Sequence, residues 1–335
     1  MYRGGDLLEA FHGSLPEWLL ILAAFVTRFG DVWVLVSMTI LASWLLTWKN
    51  VSVGPARARD RTAGTSSTNS DTASTNSDTA STGNDTTSAE GGVVPSAVWL
   101  VGVVVGGLAA MTALKYTFLL PRPDLLAPTP ALLPAALEST YISTVTVGGY
   151  AFPSGHAFGA TVAYGALAMA IPWGARRTRF AVAGVAIVAI SLSRVVLVVH
   201  YPGDIVAGMV VGVSYLAAVW WLLERSPVDR PTTAFATALG LALVAIAVSG
   251  GAGRSVTYAA LAGGALVGWS IGRPDALGKR ESTPRRAYHV GSGTLVLAIL
   301  VGLTVVSDAL TVAWAGALGA IVVAPAVVLP RRRTV

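Results

Sequence analysis

Three short clusters hold the residues of this chain that can do chemistry: Lys115 with Arg122-Pro123, Pro153-Ser154-Gly155-His156, and Ser193-Arg194 with His200 and Asp204. Together they bring three fixed cations, two imidazoles and one carboxylate into a chain that otherwise avoids charge. Cations that persist at neutral pH stabilise charge on the oxygens of a transferring phosphoryl group, and imidazoles can act as nucleophile and as proton donor. Taken singly, most of these residues have a plainer reading. Lys115 suits a snorkelling anchor and Arg122 an interfacial one. Ser154 suits a helix cap beside a Pro-Gly turn, although a helix start with Ser and Gly also offers free N–H groups to an anion. Asp204 suits a helix N-cap. Arg194 resists such a reading, because it lies inside the apolar run Ile190 to Val199, where a guanidinium is costly unless something pairs with it. Pro202-Gly203 predicts a turn, so His200 closes one helix and Asp204 opens the next, where its carboxylate can set the imidazole tautomer.

The elements that must position these clusters are membrane helices. Hydrophobic residues make up 54% of the chain and charged ones only 12%, against roughly 25% charged in soluble domains. Runs of mostly apolar residues long enough to cross a hydrocarbon core recur at Asp31 to Trp48, Ser96 to Leu114, Ala157 to Trp173, Phe180 to Val199 and Ile205 to Leu223. A second group covers Thr232 to Val248, Val256 to Ile271, Val290 to Val306 and Leu310 to Leu329. Strand alternation of the barrel type is absent, which leaves helices as the spanning solution. Pro16 to Val26 is apolar but short and reads as an in-plane or half-inserted helix. The first fifteen residues, with Arg3, Asp6 and Glu9, do not read as a cleavable signal peptide. With no cysteine, disulfides, thiolate nucleophiles and sulfur-built zinc sites are excluded.

The predicted organisation is an N-terminal segment over 1–30, a first span over 31–48, a linker over 49–95, a core over 96–223 and further spans over 224–335. The linker is rich in Ser, Thr, Asn and Asp and repeats a seven-residue unit from Thr68. It lacks the apolar positions of a coiled coil and is predicted to be a disordered cytoplasmic tether without chemistry. The net charge of +6 does not point to nucleic acid, because the basic residues lie in short loops where they set topology. Placing the linker in the cytoplasm puts 17 of the 23 basic residues on the inside. The six left over are Arg3, Arg28, Lys115, Arg122, Arg194 and Arg254. All three clusters then fall on the extracytoplasmic face.

The order Lys-x6-Arg-Pro, Pro-Ser-Gly-His and Ser-Arg-x5-His-x3-Asp resembles the type 2 phosphatidic acid phosphatase superfamily, which includes lipid phosphate phosphatases and the vanadium haloperoxidases. The resemblance covers roughly Pro16 to Leu223. It implies an all-α, polytopic membrane helix bundle with a phosphatidic acid phosphatase-like core, to which the C-terminal transmembrane helices are additional. Further implied are His200 as the nucleophile of a phosphohistidine, Asp204 as its orienting partner, and His156 as the acid that protonates the leaving oxygen and then activates water. Lys115, Arg122, Arg194, the Ser154 hydroxyl and the Gly155 N–H would hold the phosphoryl oxygens, with no metal or other cofactor. The pH profile expected is bell-shaped. The long linker and the C-terminal spans depart from the family pattern, as does the lack of room for a span before the in-plane helix.

The activity expected on this basis is hydrolysis of a lipid phosphate monoester or a (poly)prenyl diphosphate at the cell membrane. Its partners are the lipid phosphate and the bilayer, not nucleic acid. Interception of the phosphohistidine by an alcohol would make the protein a phosphotransferase. A polytopic anion or lipid transporter is the alternative from another class, but the polar residues gather at span ends on one face, with no second copy in the later spans. His12 and His289 read as surface histidines. Gly264 and Gly268 form a small-xxx-small pair suited to helix packing, with Asp308 the only acid near the last spans.

Overall fold

The computed structural model describes residues 3–11, 13–53, 97–272 and 309–328. The elements are α1 (Gly5–Phe11), α2 (Glu17–Val26), a 3-10 turn (Thr27–Gly30), α3 (Val32–Val53), α4 (Trp99–Phe118), α5 (Ala135–Val145), α6 (Gly155–Ala170), α7 (Arg176–Val196), α8 (Pro202–Arg225), α9 (Arg230–Ser249), α10 (Gly253–Gly272) and α11 (Ala309–Val328). There is no strand among the described residues, and the protein is an all-α membrane helix bundle. The linker repeat, His12, His289, Asp308 and the expected span Val290 to Val306 lie outside the described residues.

Four helices, α4, α7, α8 and α9, are each long and apolar enough to cross a membrane. The pair formed by 17–30 and 32–47 passes the same test as one bent span, with a 50° angle at the break. The stretch expected as an in-plane helix is therefore joined to α3 through the 3-10 turn. It is held there because Leu20 and Ala23 are buried in a cluster with Tyr141, Val145 and Leu197 to Val199. α6 has 16 residues, roughly 24 Å of helix, and its short connection to α7 makes the two an antiparallel pair.

α4 is the axle of the bundle. One side of it packs with α9 and α10 around Val101, Val105, Phe235 and Val256, and α11 joins the same cluster through α10. Another packs with α3, α6 and α8 around Leu35, Val104, Phe158 and Val219. This double burial explains why the run from Trp99 to Ala109 is apolar on all sides rather than striped. It also ties the C-terminal helices to the core that carries the clusters. Close approach is made possible by small residues. A Cβ on Gly208 of α8 would sit 2.7 Å from the Ser154 carbonyl oxygen, so only glycine lets α8 meet the start of α6. In α10, Gly264 abuts the Gly316 backbone and Gly268 lies against Ala320, which gives the small-xxx-small pair its packing partner in α11.

Several helix ends differ from the sequence expectation. α4 continues to Phe118, so Lys115 lies within its last turn rather than at its end. α8 begins at Pro202 with Tyr201 as N-cap. Asp204 is thus the third helical residue and not the cap itself. Its carboxylate accepts from the Tyr201 N–H at 3.1 Å, which closes a capping box. α1 and α5 are short helices within stretches read only as connections.

Enlarging Gly264 should separate α10 from α11. Gly264→Leu is expected to lower thermal stability in detergent, by about 1–3 kcal/mol for an overpacked site. Gly240→Ala, where an added methyl meets nothing within 4 Å, should leave the melting temperature unchanged or slightly raised.

Candidate active site

The three clusters converge on one cavity of about 140 Å³, walled by Lys115, Arg122, Gly155, His156, Arg194 and His200. The four connections and helix ends that carry them meet at one end of the bundle. His200 lies between α7 and α8, Gly155 and His156 open α6, Lys115 is in the last turn of α4, and Arg122 follows it. The Ser154 N–H donates to the Asp204 carbonyl at 2.9 Å, which joins the start of α6 to the start of α8.

The hydrogen bonds around His200 settle its tautomer. Arg122 Nη1 lies 3.2 Å from His200 Nε2, and a guanidinium can only donate. Nε2 therefore accepts, and the ring proton is on Nδ1, which faces Asp204 Oδ2 at 3.3 Å. Asp204 is completely buried, and its other oxygen accepts from Arg3 Nη1 at 2.8 Å. Burial pushes the His200 imidazole well below its ordinary value of 6.5, and the charges of Arg122, Arg194 and Lys115 push it the same way. The ring is neutral at physiological pH, with its lone pair on the atom that faces the cations.

His156 is held from the other side. Its Nε2 lies 3.1 Å from Asp31 Oδ1, and an ionised carboxylate only accepts. Nε2 thus carries a proton, which leaves Nδ1 to exchange protons with a ligand. Asp31 is braced in turn by Arg28, which also donates to the Thr140 carbonyl at 2.9 Å and bonds to Thr144. Gly30 makes room for the ring: a Cβ there would lie 2.7 Å from His156 Cδ2 and 2.6 Å from Ile190 Cγ2.

Arg194 is 2% exposed. Its Nη1 donates to Thr27 Oγ1 at 2.7 Å, and its Nε is buried without a partner among the described residues. A buried guanidinium with a donor unused is incomplete until an anion arrives. Lys115 Nζ donates to the Tyr150 carbonyl at 2.7 Å, and Arg122 is steadied by the carbonyls of Val199 and Gly148. Ser154 is fully buried as the N-cap of α6, its hydroxyl accepting from the Ala157 N–H at 3.5 Å. Gly155, not Ser154, forms the cavity wall.

Five contributors had no role in the sequence reading. Arg3 grips Asp204, Thr27 grips Arg194, Asp31 grips His156, and Arg254 and Tyr258 of α10 stand in the cavity wall. A signal was present for two of them. Arg3 and Arg254, like Arg28, belong to the six basic residues left over when the remaining cations were assigned to the cytoplasm, and all six gather at this one site.

Cations facing a neutral imidazole, with a second histidine held by a carboxylate, form an arrangement suited to an anion that accepts a nucleophile and loses a leaving group. No curated protein and no solved structure matches the chain. Residues 96–227, which contain every one of the three clusters, match the family model of the PAP2 superfamily.

Proposed function

We propose that the protein is a membrane phosphatase that hydrolyses a lipid phosphate monoester or a prenyl diphosphate through a phosphohistidine on His200. The observation that carries this reading is the His200 Nε2 lone pair, unprotonated and surrounded by Arg122, Lys115 and Arg194, with a donor of Arg194 buried and unused. Arg122 Nη1 occupies the lone pair without substrate and moves to a phosphoryl oxygen when one binds. Nε2 then attacks phosphorus in line with the leaving oxygen. As the P–O bond breaks, its electron pair stays on the leaving oxygen, which takes the proton that His156 Nδ1 has accepted from the P–OH of the bound phosphate monoanion. Asp204 stabilises the positive charge that develops on the His200 ring and holds its Nδ1 proton.

In the second step His156 Nδ1 takes a proton from water, and the hydroxide attacks phosphorus and breaks the P–N bond. Inorganic phosphate leaves and His200 returns to its neutral form. Three cations supply the charge that the equatorial oxygens need, so the reading requires no metal. An alcohol in place of water would give a phosphotransferase by the same steps.

A lipid-borne substrate suits the surroundings. Trp18, Phe25, Phe29 and Trp33 are exposed on the bent N-terminal pair beside the cavity, the pattern of an aromatic belt at a membrane interface. The charge asymmetry of the loops supports a position for this face on the extracytoplasmic side of the cell membrane.

With purified protein and phosphatidate or farnesyl phosphate, His200→Ala is expected to lower the rate by roughly 10³-fold or more. Arg194→Ala should lower it by about 10²- to 10³-fold. Retention of most wild-type activity by either variant would overturn the assignment. Micromolar vanadate should inhibit and EDTA should not; EDTA-sensitive, vanadate-resistant turnover would mean a different chemistry.

The pH profile offers an independent check. Because His200 stays neutral well below pH 6.5, the acid limb of kcat/KM should lie below that value. Removing the Arg122 charge favours the protonated ring, so Arg122→Ala should move the acid limb to higher pH in addition to slowing the reaction. A limb that stays in place argues against His200 as the group whose lone pair is needed.

A further inference from the structure

The cavity has a fourth cation that lies outside the family-matched segment. Arg254 is the second residue of α10, and its side chain, with Tyr258 one turn later, completes the wall formed by Lys115, Arg122 and Arg194. It is an exposed residue, whereas Arg194 is buried, so it stands at the mouth and not at the base. It has no hydrogen bond or ion pair among the described residues. Its charge acts on both Lys115 and Tyr258.

This placement is unfavourable in the empty protein for two reasons. A cation in the first turn of a helix opposes the positive end of the helix dipole. It also faces three further cations across a cavity of about 140 Å³. An anion entering at the mouth would reverse both effects. A phosphoryl group seated against His200 already has Lys115, Arg122 and Arg194 for its oxygens. Whatever follows it on the substrate passes the mouth, where Arg254 waits.

We infer that Arg254 binds a second phosphate, so that the substrate is a lipid diphosphate whose terminal phosphoryl is transferred and whose inner phosphate is the leaving group. This rests on the phosphatase reading above. The bond formed is His200 Nε2 to the terminal phosphorus, and the bond broken is the bridging P–O of the anhydride. Its electron pair goes to the inner phosphate, which leaves as a lipid monophosphate with added negative charge. Arg254 meets that charge as it develops, with the His156 proton delivered to the same oxygen. Water then releases the terminal phosphate as inorganic phosphate. The helix α10 thereby becomes part of the active site, held to the catalytic core by the α4 packing already described.

The test compares farnesyl diphosphate with farnesyl monophosphate, which share one tail, on the full-length protein in detergent. Arg254→Gln should lower kcat/KM for the diphosphate by roughly ten- to a hundredfold, the worth of a charge-assisted hydrogen bond, and for the monophosphate by no more than about threefold. Arg254→Lys should recover part of the diphosphate rate. A ratio of diphosphate to monophosphate kcat/KM that changes by less than about threefold in Arg254→Gln overturns the assignment of Arg254. Wild-type protein that hydrolyses the monophosphate alone also overturns it and leaves the phosphatase reading standing. Wild-type protein inactive on both overturns the phosphatase reading and this inference with it.

Discussion

Positive charge gathered inside an apolar bundle is the constraint around which this protein is built. Arg194 is nearly inaccessible and has one hydrogen-bonded partner, Thr27. Lys115, Arg122 and Arg254 share its cavity, and among the described residues no carboxylate lines that cavity to balance them. A cluster of this kind is tolerated only where the surrounding helices hold it rigidly and where an anion is expected. The axial burial of α4 provides the rigidity. It is packed by five other helices, and the glycines that let α8 and α6 meet bring the starts of both helices to the same spot.

The two histidines are separated in role by what holds each ring. Both have a carboxylate partner, but Asp204 faces the Nδ1 of His200 and Asp31 faces the Nε2 of His156. The opposite nitrogens are therefore presented to the cavity. For His200 that atom is an acceptor, as its contact with Arg122 requires. The N-terminal segment supplies the outer partner on both sides, Arg3 on Asp204 and the Arg28–Asp31 pair on His156. Residues far apart in the chain thus meet at the orientation of two rings, and Arg3, Arg28 and Asp31 of the N-terminal segment brace the candidate site from outside the matched segment.

Much of this was legible beforehand. Apolar runs of span length predict helices because a bilayer leaves few other solutions, and α4, α7, α8 and α9 lie where those runs are. Pro202-Gly203 predicts a turn, and the chain turns there between His200 and Asp204. Boundaries were less accurate, since the end of α4 and the capping box of α8 depend on local hydrogen bonds that composition does not express. The short α5, the kink at Asp31 and the partners Thr27 and Asp31 were not legible, because each is set by contacts between residues more than a hundred positions apart.

By itself the sequence determined the class of structure, the one-sided placement of the clusters and the kind of chemistry their side chains permit. Hydropathy and charge bias are local properties, summed along the chain, and a bilayer reads them without reference to tertiary contacts. Only the tertiary structure decided which nitrogen of each histidine is free, which carboxylate serves which ring, and that Arg3, Arg28 and Arg254 join the three expected cations at one end of the bundle. Those outcomes depend on distances of about 3 Å between helices distant in sequence. Spacing within one chain cannot specify such distances until the helices have packed.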